Sequence, residues 1–156
     1  MVNEQIRQKF PVGMILILIL VGWGAVSLLF TMLKSSVAQL GPVLLTGAGA
    51  VVADLIIIAI LAAIFYGILK RLKWARKLSI GYYIFSMIFV AVNLLSFMSN
   101  SAMYTSYYQQ TLSPQLLQLM TPTLIMGSLI SATVFAWVIG LIIIIYMLRR
   151  KAFFVN

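Results

Sequence analysis

The chain holds two acidic residues, Glu4 and Asp54, and only Asp54 falls well inside an apolar run. A carboxyl group within a bilayer costs at least about 2.5–3.5 kcal/mol on the insertion scale, so it marks either a hydrogen-bonded cluster or an ion pathway. One carboxylate can bind a proton or a cation. It cannot run acid–base or nucleophilic catalysis without cooperating groups. Those groups are missing, because the sequence has no histidine and no cysteine. Thiol catalysis, disulfides and zinc thiolate sites are thereby excluded, and the usual ligand for haem, copper and zinc is gone. Gly47-Ala48-Gly49 lacks the lysine that follows a phosphate-cradling loop. The sequence points away from an enzyme, with no catalytic residue, no metal site and no cofactor.

The depth of Asp54 follows from counting along a helix. It precedes Lys70 by 16 residues, or about 24 Å at 1.5 Å per residue. That is near the far end of a hydrocarbon core about 30 Å thick. The same count from the basic edges of the other apolar runs reaches Asn93, Thr133 and Ala25, with Ser27 close by. Asp54, Asn93, Thr133 and Ser27 therefore form a candidate polar layer. Ser79, Ser86, Asn93 and Asn100 recur every seven residues, which makes one slightly inclined stripe on a helix. The layer reads either as an interhelical hydrogen-bond cluster that fixes register or as a proton or cation site open to the outer face. Lys34 is the obvious counter-ion, but an axial gap of about 13 Å by the same count disfavours a direct pair.

These residues ride on four apolar runs. The 156 residues are 63% hydrophobic and 8% charged, against about 25% charged in a water-facing domain. Runs at Pro11–Leu33, Pro42–Leu69, Leu78–Met98 and Pro122–Leu148 are near or above the roughly 20 residues that span a bilayer as a helix. They are continuous rather than alternating, which favours helices over barrel strands. The expected fold is an all-α integral membrane protein, a single domain over 1–156. Four transmembrane helices would form an antiparallel up-down bundle.

The net charge of +9 is distributed unevenly. Arg7 and Lys9 precede the first run. Lys70, Arg71, Lys73, Arg76 and Lys77 lie between the second and third. Arg149, Arg150 and Lys151 follow the fourth, and Lys34 alone falls on the other side. By the positive-inside rule both termini and the middle link are cytoplasmic, and the expected location is the cell membrane. The middle cluster is also a candidate contact for anionic lipid head groups, at about 1 kcal/mol per basic residue. This placement argues against nucleic acid as a partner. The basic start resembles a signal peptide, but its apolar run exceeds the usual 7–15-residue core, so it reads as a retained first span.

Prolines 11, 42 and 122 stand where three spans begin, a position that tolerates the missing N–H. Thr121 is suited to cap the last. The outer segment 99–121 carries no charge, is rich in Tyr and Gln, and includes a short helix expected at 115–120. It fits either the aromatic belt of a membrane surface or a contact with another subunit. Two series of small residues recur at every fourth position: Ala59, Ala63 and Gly67, and Ser128, Ala132, Ala136 and Gly140. Such seams let helices approach closely, within this chain or with another. The expectation is a non-catalytic accessory or structural subunit of a larger membrane complex, in contact with other membrane subunits or with itself. An oligomeric channel or small transporter using Asp54 is the alternative.

Overall fold

A computed structural model describes residues 10–34, 37–40, 43–100 and 122–154. Four long helices account for most of them: α1 (Val12–Lys34), α2 (Ala48–Leu69), α3 (Lys73–Ser99) and α4 (Pro122–Arg149). All four are long and apolar enough to cross a membrane, so the chain is a multi-pass membrane protein. The shortest, α2, has 22 residues, about 33 Å of helix against a core of about 30 Å. Helix suits these runs because it closes every backbone hydrogen bond within the segment, where lipid offers no partner.

The second helix departs from expectation. It begins at Ala48 rather than at Pro42, which lies outside the described residues. Val43–Thr46 forms strand β2, antiparallel to β1 (Val37–Leu40), with Val37 opposite Thr46 and Leu40 opposite Val43. A short apolar stretch suits a strand as well as a helix, and periodicity does not separate them. Gly47 makes the break with φ of 60°, a conformation that costs glycine little. A lone two-stranded hairpin is marginal in isolation. Here β1 packs against both α2 and α3. The expected short helix at 115–120 and the cap at Thr121 lie outside the described residues.

The middle basic segment is also redistributed. Helix α3 starts at Lys73, so Lys73, Arg76 and Lys77 sit in its first turns and the link is only Lys70-Arg71-Leu72. That link is a Schellman closure. The Arg71 N–H donates to the Ile68 carbonyl at 3.0 Å, and the Leu72 N–H to the Gly67 carbonyl at 2.8 Å. Arg71 holds the left-handed position, φ 56°, where glycine is usual.

The main buried cluster gathers where α1 begins, α2 ends, α3 begins and α4 ends. It includes Met14, Ile17, Val21, Ile64, Ile68, Ala75, Ile143 and Met147. Phe153, in a 3₁₀ turn at Lys151–Phe153, and Phe154 close the same cluster. Gly67 permits the α2–α3 approach: a side chain there would collide with the Cβ of Ala75 and the ring of Trp74. Helix α1 packs mainly on α2, and α3 mainly on α4, while the α2–α3 contact is smaller.

Candidate functional site

Asp54 lies on the second turn of α2, six residues in from Ala48, or about 9 Å along the helix. It is buried, 7% exposed. Lys34, at the end of α1, is exposed, and no ion pair joins the two among the described residues. The four polar residues singled out by depth differ in burial. Ser27 is exposed on α1. Thr133 is half-buried beside Ala91, Leu94 and Leu95 of α3, and its hydroxyl donates to the Leu129 carbonyl of its own helix at 2.8 Å. Asn93 is half-buried on α3. The depth arithmetic places residues along the axis but says nothing about which way each helix turns them.

The seven-residue stripe on α3 changes character along its length. Ser79 is fully buried and donates to the Ala75 carbonyl at 2.7 Å. Ser86 is half-buried and lines two cavities, and Asn100 is exposed. The small-residue seams are likewise split. Gly67 is buried against α3, Ala63 half-buried and Ala59 exposed. Gly140 is buried against Met87, whose Sδ would lie 2.9 Å from an added Cβ. Ala136 is half-buried, while Ala132 and Ser128 are exposed.

Among the basic residues Lys70, Lys73 and Lys77 are exposed, and Arg76 is half-buried. Arg71 is engaged elsewhere. Its guanidinium lies 5.2 Å from the Phe10 ring centre and 5.0 Å from that of Phe153, and those two rings meet edge to face at 5.2 Å. Arg150 similarly lies 5.6 Å from the Tyr146 ring centre. The sequence reading missed the cluster of Phe10, Arg71 and Phe153, because its members come from the two ends and the middle of the chain. It also missed Tyr82 and Tyr83, which line a cavity near the middle of the helices. The only signal for that cavity was Ser86 in the polar stripe.

Chemically, the described residues offer one buried carboxyl group and a set of hydroxyls. No group of three metal-ligating side chains occurs among them. Compared with protein-family models, with curated proteins and with solved structures, the chain matches none.

Proposed function

We propose that this protein is a non-catalytic subunit of a larger membrane assembly. The observation that carries the reading is how little of α3 and α4 is covered within the chain. In their most apolar windows 6% and 11% of residues are buried. Lipid can cover large apolar side chains, and Phe85, Leu95, Phe135 and Trp137 are of that kind. Small residues on an outer face suit another helix better, because they let two backbones approach. Ser128 and Ala132 provide such a face on α4, exposed where the same seam has left Gly140 behind.

The fold in this reading is an antiparallel up-down bundle in the cell membrane, with both chain ends and the α2–α3 link cytoplasmic. Its support is the cluster of Phe10, Arg71 and Phe153, which joins both ends of the chain to that link. The charge distribution gives the orientation. Exposed Lys70, Lys73 and Lys77 then face anionic head groups.

The channel or transporter reading rests on Asp54, a buried carboxyl group one to two turns from the end of α2. In that reading several copies would assemble to build the pathway.

The test uses the absence of cysteine in the chain. Ala132→Cys introduces a single thiol on the exposed seam. Cross-linking in native membranes is expected to join it to a different membrane polypeptide. Cross-links only between copies of this chain, or none, would contradict the subunit reading.

A further inference from the structure

One end of the fold carries nearly all of the described charge. Helix α2 ends there, α3 begins and α4 ends. Eight basic residues lie in the link, the first turns of α3 and the close of α4. Six of them, Lys70, Lys73, Lys77, Arg149, Arg150 and Lys151, are exposed. The only carboxylate side chain among the described residues, Asp54, precedes Lys70 by 16 residues, or about 24 Å of helix. The first turn of α3 holds no acidic residue either.

The fold gathers these charges more tightly than the sequence does. The Arg71 guanidinium lies 5.0 Å from the Phe153 ring centre, which sets the α2–α3 link beside the turn at Lys151–Phe153. Lys70 and Lys151, far apart in sequence, thereby belong to one patch. Gathered like charges repel. Membrane orientation does not demand this, because acidic residues contribute little to the positive-inside bias. Carboxylates at this end would relieve the repulsion and leave the topology alone. Apart from Glu4, which lies outside the described residues, the chain has none to supply. One carboxylate does not balance so many cations, so the remaining anion comes from another molecule.

The surroundings decide what kind of anion that is. Each basic cluster adjoins exposed apolar surface: Leu69, next to Lys70, is 45% exposed, and Leu148, next to Arg149, is 57% exposed. Tyr66 and Trp74 are exposed at the same end, and such aromatic side chains sit at head-group level. Helices α2, α3 and α4 are all long and apolar enough to cross a membrane. The cations therefore stand where hydrocarbon gives way to head groups. An occupant that matches both surfaces is anionic at one end and apolar at the other. A nucleotide or an acidic peptide matches only the first.

We propose that this end of the fold binds an anionic phospholipid. Cations of the α2–α3 link and of the end of α4 share its phosphate, for which the planar forks of Arg149 and Arg150 are well shaped. The acyl chains lie along the apolar surface at Leu69 and Leu148. The proposal extends the head-group contact given above and rests on the membrane placement of the helices. It needs neither the subunit reading nor a particular orientation.

The test uses the full chain in nanodiscs of phosphatidylcholine and phosphatidylglycerol with the same acyl chains, which present both lipids on both faces. After extraction into mild detergent, retained lipids are weighed by native mass spectrometry. Phosphatidylglycerol is expected to be retained over phosphatidylcholine, and to saturate as its share of the nanodisc rises. Lys70→Gln and Lys151→Gln should each weaken that retention about fivefold, the contribution of one basic residue near an anionic head group. Lys70→Arg and Lys151→Arg should keep it. Lys34→Gln, at the opposite end of α1, should leave it unchanged. Phosphatidylglycerol should also raise the melting temperature, whereas inorganic phosphate added to pure phosphatidylcholine nanodiscs should not. Equal retention of the two lipids, a loss confined to one of the two glutamine variants, or an equal loss in Lys34→Gln would overturn the proposal. So would a melting temperature raised as much by inorganic phosphate, which would make the ligand a soluble phosphate.

Discussion

The guanidinium of Arg71 lies 5.0 Å from the centre of the Phe153 ring, which ties the α2–α3 link to the C-terminal turn. Phe153 is 6% exposed and also touches Phe10 and Phe154. Phe153→Ala is expected to lower stability in detergent by roughly 3–5 kcal/mol, as for other buried aromatic truncations. Arg71 is held at positive φ, so its two truncations should differ. Both Arg71→Gly and Arg71→Ala lose the cation–aromatic contacts, but only alanine keeps the left-handed strain. Arg71→Ala should therefore melt lower than Arg71→Gly, by an amount equivalent to about 1 kcal/mol. Equal melting temperatures would show that the backbone at this position relaxes.

Two helical glycines make a paired test of opposite sign. A Cβ at Gly67 collides with Ala75 and Trp74, whereas one at Gly81 meets nothing within 4 Å. Gly67→Ala should destabilise by about 1–3 kcal/mol through overpacking. Gly81→Ala should stabilise by up to about 1 kcal/mol through helix propensity. Thermal melts of both variants check the pair, and a neutral Gly67→Ala would mean that α2 and α3 do not meet closely.

How much of this was legible beforehand can be traced residue by residue. The spans of α1 and α4 could be bounded because long apolar runs leave the backbone no choice but helix in lipid, whereas α3 starts at Lys73, five residues before the expected Leu78, because its basic first turns carry no apolar signal. The start of α2 could not, because Val43–Thr46 is too short and too apolar to choose between strand and helix without its partner Val37–Leu40. That Asp54 sits far along its helix from Lys70 followed from residue counting. The facing of Ser27 and Thr133 did not, because helix rotation depends on packing. Arg71 gave no sign of its role: a glycine there would have announced a helix stop, and its aromatic partners lie some 60 to 80 residues away in sequence.

Asp54 separates the two functional readings. If it is structural, Asp54→Asn should be tolerated, because an amide both donates and accepts. Asp54→Leu should be worse if the carboxyl group satisfies a neighbour, since unmet buried hydrogen bonds cost about 1–3 kcal/mol. Proton or cation flux into vesicles containing the purified protein is expected to be nil for wild type and Asp54→Asn alike. A wild-type flux lost in a folded Asp54→Asn variant would favour the transporter.

Orientation is open to single-cysteine labelling in intact cells. Thiols introduced at Lys73 and Lys151 should be protected from an impermeant reagent, and one at Gln109 should react. Reaction at Lys73 would contradict the cytoplasmic placement of the α2–α3 link.

The most direct test of the subunit proposal is native mass spectrometry of the protein released from its own membrane in mild detergent or native nanodiscs. The 17.3 kDa chain is expected in a complex whose mass requires at least one different polypeptide at fixed stoichiometry. Bulky Ala132→Leu should release that polypeptide while the chain stays folded. Masses that are only the single chain or whole multiples of it would contradict the proposal.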